Sequence, residues 1–137
     1  MTTVVIQHLP ESCSSEMLRD LLCRSGFQDS VDFVYVPMRF VRQAAMGYGF
    51  VNFVSPRAAG AFKGLFEGLD FGAATLAISW AEVQGLGPNI ERYRNSPVMH
   101  PLVPQVYKPM LLQHGLEIPF PCPTQHIKAP KLKQRSR

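Results

Sequence analysis

Met46-Gly47-Tyr48-Gly49-Phe50-Val51-Asn52-Phe53 is a strand-like run in which glycines and aromatic residues alternate, a pattern that an ordinary core strand does not require. Side chains two apart on an extended strand share a face. Tyr48 and Phe50 therefore stand on one surface, with Val51 and Phe53 on the other. Two rings side by side on an accessible face make a stacking platform for nucleic-acid bases. Gly47 and Gly49 are expected to leave room for backbone or base to come close. The same alternation also describes a twisted strand packed against a helix, so the surrounding sequence has to decide.

Upstream, Thr3-Val4-Val5-Ile6-Gln7-His8 is rich in β-branched residues and stops at Leu9-Pro10, which predicts a first strand. Ser14 or Ser15 can cap a helix whose apolar positions Met17, Leu18, Leu21 and Leu22 recur at helical spacing until Gly26. Asp32-Phe33-Val34-Tyr35-Val36-Pro37 predicts a second strand, and the loop from Met38 to Ala45 leads to the aromatic strand. Ser55-Pro56 supplies a cap and a first-turn proline for a second helix carrying Ala58, Ala59, Phe62, Leu65 and Phe66. Leu76 to Ala81 is the fourth strand. The order β-α-β-β-α-β predicts an α+β, ferredoxin-like sandwich in which one sheet face packs on two helices and the other stays free.

The last third is different. A short helix is expected within Gly85 to Asn95, with Ile90 and Tyr93 on its apolar side, followed by a proline-punctuated irregular extension. Val106, Tyr107, Met110, Leu111 and Leu112 are too apolar for a purely disordered linker, so part of it is expected to dock. The division is a core over 1–84, a helix and extension over 85–124, and a disordered basic tail over 125–137.

The chain has 137 residues and a net charge of +4, but the charge is uneven. Lys128, Lys131, Lys133, Arg135 and Arg137 fall in the last ten residues, which contain no acid. Positions 1–127 then hold nine basic and ten acidic residues, a net of −1. A folded part of this kind must bind nucleic acid by stacking and local arginine contacts rather than through a general positive field. Three cysteines at irregular spacing, with no C-x-x-C and scattered histidines, argue against a disulfide framework, a metal site or a cofactor-bearing centre. An intracellular location, nuclear or cytoplasmic, is expected; the apolar runs are too short to span a membrane.

With the elements in order, the chain resembles the C-terminal RNA recognition motif (RRM) of the Mei-two-like proteins. The resemblance is carried by Thr3-Val4-Val5-Ile6, Met17-Leu18, Asp32 to Pro37 and Gly47 to Phe53. It runs on through Ala81-Glu82-Val83-Gln84-Gly85 and Tyr93-Arg94-Asn95-Ser96 to Tyr107-Lys108-Pro109-Met110. It implies single-stranded RNA binding by a post-transcriptional, meiotic or developmental regulator. The octamer of such domains usually begins with Lys or Arg, where this chain has Met46, and the first strand usually carries an aromatic where this chain has Val5.

The candidate RNA-binding residues are Tyr48, Phe50, Val5, Gln7, Tyr35, Asn52, Arg39, Arg42, Ser79 and Gln84. Gln7 shares a face with Val5, and Asn52 with Phe50, so both can reach base edges with Gln84. Tyr35, and with it Phe33, either faces outward and replaces the missing ring or fills the core. Family register places Ser79 outward and Trp80 inward, and core packing is expected for Trp80. Arg39 and Arg42 occupy the loop that embraces RNA in similar domains. The third helix, with Arg92 and Arg94, either extends the RNA surface or covers it. No nucleophile–base pair, paired carboxylates or phosphate-cradling loop appears, so an enzyme is not expected. The competing function is a protein-interaction module with an occluded RNA face. In either case a monomer is expected, with no small-molecule substrate and no membrane partner.

Overall fold

The computed structural model of the chain describes residues 1–39 and 44–130. The six core elements are β1 (Thr3–Gln7), α1 (Ser15–Leu22), β2 (Val31–Tyr35), β3 (Tyr48–Phe53), α2 (Pro56–Phe66) and β4 (Ala77–Trp80). They are followed by α3 (Leu86–Arg94) and a hairpin of β5 (Met110–Gln113) and β6 (Leu116–Ile118). The six strands form one sheet in the order β6-β5-β2-β3-β1-β4. Its β2-β3-β1-β4 part, with two helices on one face, is the expected ferredoxin-like sandwich.

Local chemistry starts and stops these helices. The Ser14 hydroxyl accepts from the Met17 amide at 3.1 Å, and the Ser55 hydroxyl from the Ala58 amide at 3.1 Å ahead of Pro56. After α1 the chain turns through Cys23–Phe27 and breaks at Gly26, which has a φ of 92°. The core lies between the helices and the inner sheet face: Val4, Ile6, Val34 and Val51 meet Leu18, Leu22, Phe62 and Phe66. Phe27 stands edge-on to Phe53, Phe62 and Phe66 at centroid distances of 5.8, 5.7 and 6.3 Å.

The two glycines of the aromatic strand have different tasks from those expected. Gly49 faces the helices, and a Cβ there would stand 3.1–3.3 Å from side-chain atoms of Val36, Leu9 and Leu18. Its lack of a side chain seats α1 on the sheet. Gly47 has a φ of 94°, a left-handed turn where its carbonyl accepts from the Leu9 amide at 2.9 Å. The room at Gly49 is thus taken by side chains on the helix face rather than by a base.

The extension is more ordered than an irregular strap. β5 pairs antiparallel with β2 through Phe33–Leu111 and Val34–Met110, widening the sheet. It reverses into β6 through His114 and Gly115, with φ of 53° and 82°, the paired positive φ values of a two-residue hairpin loop. Gln28 Nε2 donates to the His114 carbonyl at 3.1 Å and ties the loop down. Docking continues past the expected boundary at Gln125, since Ile127 is buried. Trp80 pairs with Val4 and so lies on the helix side, as expected, but β4 is the sheet's edge and Trp80 keeps 37% exposure instead of joining the core.

Candidate nucleic-acid interface

The outer face of the sheet is set by register. Val5 pairs with Phe50 and with Ser79, Gln7 with Tyr48 and with Ala77, and Tyr35 with Phe50. Paired residues project to the same side, so four aromatic rings, Phe33, Tyr35, Tyr48 and Phe50, all stand opposite the helices. They are not equally available.

Over β2 the face is roofed. Phe33, Tyr35 and Leu111 form a second apolar cluster with Val98 and Val103, joined by Ile90, Tyr93, Met99 and Phe120. The Tyr93 ring lies nearly parallel to Phe33, with centroids 6.0 Å apart, and edge-on to Tyr35 at 4.9 Å. α3 therefore crosses the sheet and covers half of it, and Arg94 Nε fixes its far end by donating to the Cys122 carbonyl at 2.8 Å.

Polar contacts hold the near end. The Thr3 hydroxyl donates to Asn52 Oδ1 and accepts from the Gly85 amide at 2.9 Å and from Asn89 Nδ2 at 3.3 Å, which uses its full bonding capacity. Asn52 Nδ2 donates to Asp32 Oδ1 at 2.8 Å, across the β-bulge between Val31 and Phe33. Burial pushes the Asp32 carboxyl above its ordinary value, and the Asn52 hydrogen bond opposes this. The Gln84 side chain extends the β1 ladder beyond β4: Oε1 accepts from the amides of Thr2 and Thr3 at 2.8 and 2.9 Å, and Nε2 donates to the Thr3 carbonyl at 2.7 Å.

Beside the roof, Tyr48 and Phe50 remain half-exposed with centroids 5.7 Å apart. Their planes meet at 87°, so the pair presents one face and one edge; two stacked bases require one ring to turn about its broad χ2 torsion. Where the open half meets the roof lies a cleft of about 200 Å³ lined by Val5, Phe50, the Trp80–Val83 linker, Asn89, Arg92 and Tyr93. Arg92 lies over the Tyr93 ring, 5.5 Å from its centroid, and its Nε donates to the Tyr93 hydroxyl at 3.3 Å. That hydroxyl raises Arg92 above the ordinary arginine value, with smaller help from Glu82 and Tyr48. Among the described residues, no group of three or more His, Cys, Asp or Glu could hold a metal.

The family model for RNA recognition motif 2 matches residues 1–94, which hold this sheet through β4 together with α3. The chain belongs to the RNA recognition motif 2 family. It is 32% identical over 131 residues to the meiosis protein mei2 of Schizosaccharomyces pombe, an alignment that covers 89% of this chain and 17% of that protein. It is 31% identical over 115 residues to the terminal ear1 homolog of Oryza sativa subsp. indica, covering 69% of this chain and 17% of the relative. The chain thus spans about a sixth of these curated relatives. Among solved structures, the Rna15 RRM with bound RNA (GU) superposes with a TM-score of 0.55 at 17% identity, covering 66% of this chain and 95% of that one.

Within this RRM the ten candidate residues separate. Val5, Gln7, Tyr48, Phe50 and Ser79 gather on the open half of the face. Tyr35 points outward as the family register requires, yet it is buried under Tyr93 and cannot replace a stacking ring in this arrangement. Asn52 and Gln84 are corrections: Asn52 is 2% exposed and its amide is spent on Thr2, Thr3 and Asp32, while Gln84 is spent on the β1 backbone. Both are architectural. Arg39 is exposed on a short ladder of Met38–Arg39 with Ala44–Ala45, and Arg42 lies outside the described residues. Sequence reasoning did not single out Glu82 or Asn89. Their positions depend on the turn at Gly85, whose φ of 100° sends α3 back over the sheet; a glycine directly ahead of a helical pattern is the one local signal.

Proposed function

We propose that this domain binds single-stranded RNA on the open half of its sheet, with bases stacking on Tyr48 and Phe50 and Gln7 and Ser79 beside them. The observation that carries the reading is that these two rings stay half-exposed while the neighbouring aromatic pair is buried under the roof. Burying large apolar surface is favourable, and the extension that buries Phe33 and Tyr35 reaches one side of Phe50 but leaves it half-exposed and leaves Tyr48 outside the roof cluster. The Rna15 neighbour is an RRM with bound RNA (GU), and the mei2 relative is a meiosis protein. A role in a meiotic or developmental regulator acting on transcripts, in the nucleus or cytoplasm, rests on that likeness alone.

Fluorescence anisotropy with a panel of short single-stranded RNAs tests the reading. Each aromatic stack is worth about 1–3 kcal/mol per base, so Tyr48→Ala/Phe50→Ala is expected to weaken binding by roughly 2 kcal/mol or more, about 30-fold. Removing residues 128–137 is expected mainly to flatten the salt dependence, since each lost phosphate contact reduces the slope by about 0.7. If the double variant binds RNA as tightly as the parent, the stacking model fails and the tail is only a polycation. A protein-interaction module would show no ring-dependent RNA affinity.

A further inference from the structure

The cleft at the border of the roof has a recognisable chemical pattern. Its floor is the Phe50 ring with Val5 beside it, and one wall is Tyr93 with Arg92. The linker between β4 and α3 places Glu82 in the same cleft. Among the described residues Arg92 donates only through Nε, so its two terminal nitrogens hydrogen-bond no protein group. Glu82 is likewise exposed, and no hydrogen bond or ion pair engages its carboxylate among the described residues. A donor fork and an acceptor pair thus flank an aromatic floor. The volume, about 200 Å³, falls below the roughly 300 Å³ lower end of sites for drug-sized ligands and suits one planar base.

Resting on the RNA-binding reading above, we propose that this cleft is a guanine-selective base site, with the base on Phe50, Arg92 addressing O6 and N7, and Glu82 addressing N1–H and N2–H2. The choice of base follows from hydrogen-bond counting. Arginine donates two parallel bonds and a carboxylate accepts two. Guanine alone offers both an adjacent pair of acceptors and an adjacent pair of donors. Cytosine and adenine offer a single exocyclic amino group, and uracil one ring N–H, which leaves carboxylate capacity unused. The electrostatic influence of Glu82 on Arg92 is consistent with the two sharing one small space. Asn89, also in the lining, already donates to Gly85 and Thr3 and holds the wall in place.

The test uses the full 137-residue chain and short RNAs carrying G, A, C, U or inosine at each position in turn, read by anisotropy for the parent, Arg92→Lys, Glu82→Gln and Phe50→Ala. Both polar residues are exposed, so the folded domain should survive either substitution. The parent is expected to prefer guanine at one position by roughly 5- to 100-fold. Arg92→Lys keeps the charge but loses the fork and should erase most of that preference. Glu82→Gln should bring guanine and inosine, which lacks the N2 amino group, to equal affinity. Ring-dependent RNA binding with no guanine preference, or a preference that survives both substitutions, overturns the inference and leaves the RNA reading standing. Absence of ring-dependent binding overturns both.

Discussion

Phe33 and Tyr35 on β2 and Tyr48 and Phe50 on β3 are two aromatic pairs on one face of one sheet, linked by the Tyr35–Phe50 register, yet only the β3 pair keeps exposure to solvent. Alternation puts the two rings of each pair on one face, and the Tyr35–Phe50 register puts both pairs on the same one. What separates them is chain far away in sequence, namely α3 and the segment carrying Val98 and Val103, which bury the β2 pair. Outward on a strand and exposed to solvent are therefore different properties. The roof is itself amphipathic in effect, with a hydrogen-bonded anchor at Thr3, Gln84 and Asn89 and an apolar body at Ile90 and Tyr93.

The sharpest way to break this comparison is to truncate one ring from each pair. Phe33 is fully buried between the sheet and Tyr93, so Phe33→Ala is expected to cost about 3–5 kcal/mol of stability by lost burial and cavity formation. Phe50→Ala is expected to cost less stability, because Phe50 is half-exposed, and to remove about 1–3 kcal/mol of RNA affinity. Urea denaturation and anisotropy measure the two losses separately. Should Phe33→Ala leave stability intact while RNA binding falls, the roof is not seated on β2 and the assignment of the two pairs is reversed.

The contrast also shows what was legible in the sequence. The β-α-β-β-α-β order could be read because each core element has a local signal: the serine caps at Ser14 and Ser55, the stop at Leu9-Pro10 and the periodic apolar residues of α1 and α2. That Tyr48 and Phe50 share one face followed from alternation. The coverage of Tyr35 did not, because it depends on a helix about fifty residues onward. The hairpin of β5 and β6 was missed for a different reason: prolines dominate the extension and drew attention from a short apolar run ending at His114-Gly115. Asn52 misled because its alternation is right, but the two residues at the start of β1 claim its amide.

A smaller effect comes from unpinning the roof without touching an aromatic ring. Asn89 is buried, and its Nδ2 donates to the Gly85 carbonyl at 2.7 Å and to the Thr3 hydroxyl. Asn89→Ala removes these side-chain bonds, while the backbone amide at 89 still bonds the Gly85 carbonyl at 3.2 Å, and is expected to cost about 1–3 kcal/mol. Hydrogen exchange should quicken in α3 while β1 and β3 keep their protection. Equal loosening of both halves would mean that the roof and the sheet unfold as one unit.

The smallest effect distinguishes the covered tyrosine by its proton. Burial pushes the Tyr35 hydroxyl well above 10, the ordinary tyrosine value, with Tyr93 and Tyr48 adding to the rise and Arg92 opposing it. A raised folded-state value means that the native domain keeps a proton which the unfolded chain releases. Tyr35 therefore contributes no pH dependence below pH 10, and stability falls as pH rises above it, by at most about 1.4 kcal/mol per pH unit. Lysines and other groups titrate in the same range, so the useful quantity is the difference between the parent and Tyr35→Phe in urea denaturation on either side of that value. The parent should lose more stability than Tyr35→Phe as the solution becomes alkaline. Parallel curves would mean that solvent reaches the Tyr35 hydroxyl and that the roof over β2 opens far more readily than its packing against Tyr93 implies.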